Sequence, residues 1–457
     1  MTEAKKQRAA VILAAGKGTR MKSALPKVMH AVGGRPMMDW SLALARQVGC
    51  ARILAVVHPS QDVLIAHLKA HHPDVGIAFQ DPPQGTGHAV RCAQDALQGF
   101  EGQLAVLYGD SPLVPAKVIE DLFSGVAGGA ALGVLGFEAA DPGLYGRLIT
   151  NPDGDLEAIV EAREASPEQL EVRICNSGVM AGRAEDMFRL LQKITNSNAK
   201  GEYYLTDLVG LVRAEGGRCA LVTALEDDLI GCDSKGDLAE AEGIFQAARR
   251  KGLMEAGVTL VAPETVFVSH DTQIAADVVV EPNVVFGPGV TVAAGARIRA
   301  FSHLEGAVVG EGCEIGPFAR LRPGTVLARE VRIGNFVETK NTEMGEGAKA
   351  NHLAYLGDGR IGAGANIGAG TIFCNYDGFL KHETHVGEGA FVGSNSALVA
   401  PVSIGDGAYV GSGSVITKDV PDDALAVARA HQMTREGWAK TFRTKKAAEK
   451  ANKGKKG

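Results

Sequence analysis

Seven cysteines are scattered through 457 residues, and none of them forms a C-x-x-C pair. Their odd number fits no closed disulfide framework, so they read as reduced thiols and point to a cytoplasmic setting. Long hydrophobic runs are missing too: nothing approaches the ~18 unbroken apolar residues of a membrane-spanning helix, and no membrane partner is expected. The opening MTEAKKQR leads straight into a strand-like run and does not resemble a secretion signal. Neither sign of charge dominates, with 47 Lys and Arg against 53 Asp and Glu and a formal net charge of −6. That balance predicts neither a nucleic-acid partner nor a strongly acidic one. The end, TKKAAEKANKGKKG, is rich in Lys and Gly and is expected to be a disordered, solvating tail.

What is present is a period of six. From Val268 a large apolar residue recurs through Ile274, Val280, Phe286, Val292 and Ile298 to Leu304. After a five-residue step it resumes at Val309, Ile315, Leu321, Leu327 and Ile333, and it returns from Val386 through Val392, Leu398, Ile404 and Val410 to Ile416. Six matches neither the 3.6 of a helix nor a strand of ordinary length. It is the spacing of a hexapeptide β-solenoid, in which each hexad makes one short side and sends one apolar residue to the axis. Glycine and alanine crowd between these anchors (IGPFAR, IGAGAN, VGSGSV), where the chain must turn tightly and a Cβ is costly. With three hexads to a coil, Val268 to Ile416 makes roughly eight coils, a rod on the order of 40 Å long.

Three regions follow. Residues 1–235 alternate strand-like runs with amphipathic stretches, as a mostly parallel α/β sheet does. Residues 236–256 look like one linking helix. Ser234 or Asp237 can cap it, Leu238, Ala241, Phe245 and Ala248 share a face, and Arg249, Arg250 and Lys251 followed by Gly252 suit its end. Residues 257–457 hold the solenoid and the tail.

The turn LAAGKGTRM follows the first strand directly. Gly16 and Gly18 let backbone N–H groups approach phosphate oxygens, while Lys17, Arg20 and Lys27 supply positive charge. It is not a Walker A loop, since no G-K-[ST] follows at the right distance. Nor is it the dinucleotide fingerprint, because Met21 replaces the third glycine.

The longer run LAAGKGTRMKSALPK resembles the signature of nucleoside-diphosphate-sugar pyrophosphorylases. With QGTGHA, YGD, GEYYLTD and the solenoid behind them, nearly the whole chain resembles the bacterial bifunctional N-acetylglucosamine-1-phosphate uridyltransferase/glucosamine-1-phosphate N-acetyltransferases. The resemblance implies an α/β chain: a Rossmann-like nucleotidyltransferase domain, a linker helix and a left-handed parallel β-helix that transfers acetyl groups. It implies that a sugar-1-phosphate oxygen attacks the α-phosphorus of UTP and expels pyrophosphate, a reaction that needs alignment and charge neutralisation. Leu13, Ala14, Ala15 and Gly16 match the nucleotide-contacting turn, with Arg20 and Lys27 as the catalytic cations on the phosphates. Gln80, Gly85 and Thr86 match the uracil-reading positions. Tyr108, Gly109 and Asp110 close the strand LAVLYGD at the carboxyl edge, where open α/β sheets bind ligands. Asp110 resembles the family's Mg²⁺ ligand. The second ligand is usually asparagine, and GCDS puts Asp233 there instead. Gly146, Glu161 and Asn176 match positions that hold the acetylated sugar.

The solenoid loses its rhythm twice. One break is NFVETKNTEMGEGAKANHLAYLGD, between Ile333 and Ile361; the other is CNYDGFLKHETH, expected to project from a corner as a loop. His352, in NHLAYLGD, matches the family's catalytic histidine. The amino group of glucosamine-1-phosphate arrives as an ammonium and must lose a proton before it attacks a thioester, a task suited to a neutral imidazole. By the same resemblance Arg322, Lys340, Tyr355 and Asn366 bind the sugar phosphate. Ala369, Asn375, Tyr376, Ser394, Ser412 and Arg429 match acetyl-CoA positions, with Ser412 standing where alanine is common. A homotrimer is also implied, with CoA lying between neighbouring rods. Two other readings compete. A single-activity nucleotide-sugar pyrophosphorylase with a regulatory solenoid leaves His352, Lys340 and Tyr355 without work. A non-enzymatic assembly subunit has no need of LAAGKGTRM.

Overall fold

Strand β1 (Arg8–Leu13) is buried along all but its first residue, as a strand covered on both faces must be. The computed structural model describes residues 8–198 and 200–453. Eight more strands join β1: β2 (Arg52–Val57), β3 (Gly76–Phe79), β4 (Gln103–Tyr108), β5 (Leu132–Glu138), β6 (Arg147–Thr150), β7 (Leu156–Val160), β8 (Ile174–Arg183) and β9 (Cys219–Ala224). Their order is β9-β5-β8-β4-β1-β2-β3, with β6 pairing β8 and β7. β1 runs parallel to both β2 and β4, whereas β8 is antiparallel to its neighbours. The chain proceeds outward from β1 to one side and then crosses to β4 on the other. That reversal opens a crevice at the carboxyl ends of β1 and β4. Alternate residues of β1 feed two apolar layers, Ala10 and Ile12 on one face, Ala9, Val11 and Leu13 on the other.

Helix α1 (Met37–Gln47) buries Met37, Met38, Leu42 and Ala45, and α2 (Asp62–His71) buries Leu64 and Leu68. The helix expected over 236–256 is α3 (Lys235–Glu255). Ser234 and Asp237 both cap it: the Ser234 hydroxyl accepts from the Asp237 amide, and the Asp237 carboxylate accepts from the Asp233 and Ser234 amides. Two details of the reading are corrected. Ala248 is exposed and Leu253 buried, so the apolar face drifts along the helix, and the chain stays helical through Gly252. Phe245 sits edge-on to Trp40, with ring centroids 5.6 Å apart. It fills a notch at Gly33, where a Cβ would strike its ring. One compact unit accordingly holds Met1–Glu255 with Phe267–Asp271, and a second holds Ala256–Val266 with Thr272–Gly457.

All eighteen anchors of the six-residue period are buried, seventeen in the second unit and Val268 in the first. One ladder of ten parallel strands runs from Thr259–Leu260 to Leu425–Ala426. Its first and last strands lie outside the Val268–Ile416 stretch, which leaves the eight coils expected. Two features escaped the periodicity. Two residues before each anchor a second residue, never larger than the anchor, is buried, as at Val278, Val284, Val290, Ala296, Ser302, Ala307, Cys313 and Ala319. Three residues before most anchors the backbone turns left-handed, at Asp277, Asn283, Gly289 and Gly295 and even at Phe301 and Phe318. Those two exposed phenylalanines stack at 4.9 Å across adjacent coils.

The rhythm breaks at Ile333–Ile361 because two strands of seven residues, Glu338–Met344 and Tyr355–Ile361, run on around a corner. CNYDGFLKHETH does form a loop, closed by a Tyr376–Lys381 bridge, with Phe379 at its exposed tip. The tail is the clearest correction. Trp438–Lys453 is an exposed α-helix, α4, and only the last four residues of the expected tail lie outside the described ones. Its Ala, Lys, Arg and Glu are strong helix formers, and this local preference outweighs the solvating composition.

Candidate functional site

The crevice assembles motifs far apart in sequence. Leu13 and Tyr108 are paired across β1 and β4, and the Gly109 amide donates to the Leu13 carbonyl at 3.0 Å. The Asp110 carbonyl accepts from the Cys232 amide at 2.9 Å, which sets Asp233 beside Asp110. Lys27 joins them: its ammonium binds the Asp110 carboxylate and lies 2.8 Å from Asp233 Oδ1. Arg20, largely exposed, reaches Asp233 Oδ2 at 2.8 Å. Burial alone would lower the Lys27 pKa, but Asp110 and Asp233 outweigh it and hold the ammonium above its usual value. Two carboxylates thus converge on one cation-sized point, and Arg20 balances the charge that Asp233 adds over asparagine.

Glycines shape the rim. Gly18 is left-handed at φ 57°, and a Cβ there would strike Lys27 Cβ at 2.7 Å, whereas Gly16 faces open space. A cavity of about 440 Å³ is lined by Leu13 through Gly16, Lys27, Gln80, Gly85, Thr86, Tyr108 and Asp110. QGTGHA and GEYYLTD meet here, since the Gly87 amide donates to the Tyr203 carbonyl and the Tyr203 amide to Gln84. Lys200, Glu202 and Tyr204 also line the cavity. Sequence reading missed them as individuals, although the motif GEYYLTD held two of the three. Burial and Asp110 push the Tyr108 phenol well up. Its ring lies under Gly178, where a Cβ would come within 2.8 Å. Gly146, Glu161 and Asn176 form a neighbouring group: the Asn176 amide donates to the Gly146 carbonyl, and a Cβ on Gly146 would lie 3.5 Å from Glu161 Oε1.

On the solenoid, His352 is exposed and directly opposite Asn335 on the preceding coil. Asn335 Oδ1 accepts from His352 Nδ1 at 2.8 Å, so in the neutral ring the proton sits on Nδ1 and Nε2 keeps its lone pair. Asn335 had no signal in the sequence, because only coil stacking brings it to His352. Successive coils continue this corner. The His352 carbonyl accepts from Gly370, Ala369 from Asn395, Ser394 from Gly413, and Ser412 from the Arg429 guanidinium. His352, Ala369, Ser394, Ser412 and Arg429 therefore form one file along the rod.

The remaining expected residues flank it. Arg322 is held by Glu338 at 2.8 Å, and Glu338 pairs with Tyr355 on the next coil. The Lys381 ammonium, beside Lys340 and followed by Arg322 among the nearby cations, lowers the Lys340 pKa. Such crowded cations suit an anionic ligand. Asn375 is buried and donates to Asp358, which also accepts from Asn341 at 3.0 Å. Asn366 stands on the rung between Lys349 and Phe391. Tyr376 donates its hydroxyl to the Gly378 carbonyl inside its own loop.

A nucleotide-sized crevice at a sheet switch point, followed in one chain by a hexapeptide β-helix, defines a two-part transferase. Residues 10–163 match the MobA-like NTP transferase domain, and residues 383–418 match the bacterial transferase hexapeptide (six repeats). The chain is 82% identical to the bifunctional protein GlmU of Hyphomonas neptunium, over 99% of this chain and 98% of that relative. It is 53% identical to the bifunctional protein GlmU of Sphingopyxis alaskensis, over 96% and 98%, and 56% identical to that of Caulobacter vibrioides, over 98% and 96%. The chain belongs to the family of bifunctional GlmU proteins.

Proposed function

We propose that this enzyme makes UDP-N-acetylglucosamine in two steps: acetyl transfer from acetyl-CoA to glucosamine-1-phosphate on the solenoid, then uridylyl transfer from UTP in the α/β unit. What carries the reading is the coexistence in one chain of two built sites, the Lys27–Asp110–Asp233 cluster and the Asn335–His352 pair heading its file. In the acetyl site His352 Nε2 takes the ammonium proton, Arg322 and Lys340 hold the sugar phosphate with Tyr355 and Asn366, and Asn375 and Tyr376 flank the thioester. The file from His352 to Arg429 spans four coil steps, about 19 Å at the usual strand spacing, and gives an extended acyl-CoA a track ending on a guanidinium.

In the uridylyl site Asp110 and Asp233 would hold Mg²⁺, whose preference for hard oxygen donors they satisfy, and the ion supplies neutralisation of triphosphate charge. Lys27 and Arg20, now engaged with those carboxylates, turn to the phosphates when nucleotide arrives. Leu13 to Gly16, Gln80, Gly85 and Thr86 hold the nucleotide, and Tyr108, Gly146, Glu161 and Asn176 hold the acetylated sugar. Among the described residues no helix is long and apolar enough to cross a membrane, and a cytoplasmic enzyme fits these substrates.

Two assays on one purified protein test the reading: CoA release with glucosamine-1-phosphate, and pyrophosphate release with UTP and N-acetylglucosamine-1-phosphate. Both are expected, and pyrophosphate release without any acetylation would leave a pyrophosphorylase with an inert solenoid. Asn335→Leu should slow acetylation about tenfold or more, because the ring loses the acceptor that fixes its tautomer. The pyrophosphate assay should not change. Unaltered acetylation would assign Asn335 to packing alone. The active species is a homotrimer, and light scattering that finds a fully active monomer refutes that assignment.

A further inference from the structure

Asp39 lies in the first turn of α1, His67 on α2, and His72 immediately after α2. Among the described residues they form the one group of three His, Cys, Asp or Glu side chains whose ligand atoms all lie within 4.8 Å of one another. Both imidazoles aim Nε2 at a single atom, with His67 at 2.8 Å and His72 at 3.0 Å from Asp39 Oδ1. The three side chains are only 13–16% exposed. Neither transfer reaction uses them.

We propose that Asp39, His67 and His72 bind a divalent transition ion, Zn²⁺ by the nature of the donors. Two imidazole nitrogens and one carboxylate oxygen are a three-ligand zinc set, too rich in nitrogen for Mg²⁺ or Ca²⁺. His71, four residues after His67 with ring centroids 4.8 Å apart, or a water completes the tetrahedron. Arg46 sets the condition for loading. Its Nη2 lies 3.3 Å from His72 Nδ1 and can only donate, so in the metal-free protein His72 carries its proton on Nε2. On loading, that ring gives up the Nε2 proton and takes one on Nδ1, while Arg46 turns wholly to Asp74, which it already meets at 2.8 and 3.0 Å.

The site braces the floor of the nucleotide crevice. One residue from Asp39, the Met38 sulfur lies 3.4 Å from where a Gly109 Cβ would stand. Two residues on, the Ser41 hydroxyl donates to the Tyr108 carbonyl at 2.8 Å. An ion joining α1 to α2 pins the helix that carries both contacts.

The test uses the full chain, stripped by chelator and returned to excess Mg²⁺ so that the Asp110–Asp233 pair is already engaged. Titration with ZnCl₂ should show a site at micromolar affinity or tighter, and a hundredfold excess over its Kd should raise the unfolding midpoint by about 5 °C or more. The double variant His67→Gln/His72→Gln should bind at least about tenfold more weakly and lose the thermal shift. Co²⁺ gives an independent readout: wild type should develop the intense visible absorption of a tetrahedral imidazole site, and Asp39→Ala should weaken it. Wild type that takes up no Zn²⁺ in excess Mg²⁺ overturns the proposal. So does a double variant with undiminished binding, which would place the ion on other histidines such as the exposed His385 or the partly exposed His382.

Discussion

His352→Ala should reduce acetyl transfer by about 10²–10⁴-fold, the usual cost of losing a general base, and leave pyrophosphate release from UTP at the wild-type rate. The reasons are local. His352 is exposed, while the neighbours that fill the solenoid interior are Ala350 and Ala354. Truncating an exposed side chain costs little stability, within about 0.5 kcal/mol, so coil stacking should survive. Turnover should fall far more than acetyl-CoA affinity, because the coenzyme track lies on later coils. If His352 were only a corner residue, the variant would melt earlier while its folded fraction acetylated normally. An intact assembly with wild-type acetylation turnover would end the assignment of His352 as base.

Asp110→Ala should lower uridylyl transfer by about 10³-fold or more, since it removes one of two carboxylates from a centre expected to supply several kcal/mol of charge stabilisation. Acetyl transfer should be unaffected. Lys27 would then keep only Asp233, which is 40% exposed and shared with Arg20. Near-normal pyrophosphate release in Mg²⁺ would rule out Asp110 as a ligand. Asp233→Asn separates oxygen from charge. It keeps one donor oxygen and frees Arg20 of a counter-charge, and activity should persist; complete loss would show that this chain depends on the second negative charge.

The solenoid was legible because its period is enforced at every coil: each anchor must be apolar and large, and it recurs along one line of the sequence. The small buried residues two positions earlier were not, since Val, Ser, Thr, Cys and Ala have only size in common. The crevice was legible as motifs but not as a network. LAAGKGTRM, YGD and GCDS are short and distinctive, yet the sharing of Lys27 between Asp110 and Asp233 depends on how β1, β4 and the segment before α3 meet. Asn335 and the Asp39–His67–His72 group belong to the same class of feature. Each is an ordinary polar residue until packing supplies its partner. The tail misled for the opposite reason, because composition was read for solvation when local helix preference decided.

The stacked coils carry a further consequence. Each coil has strand partners only above and below, so the unit behaves nearly as a one-dimensional lattice that frays from its ends. Its last rung, Leu425–Ala426, comes just before Arg429, whereas His352 lies in the middle of the ladder. Fraying should therefore loosen the coenzyme end well before it disturbs the base. On warming, the KM for acetyl-CoA should climb while turnover at saturating coenzyme holds, and amide exchange should be fastest at Leu425–Ala426 and slowest around Ala350. Uniform exchange along the ladder would instead mark the rod as a single cooperative block.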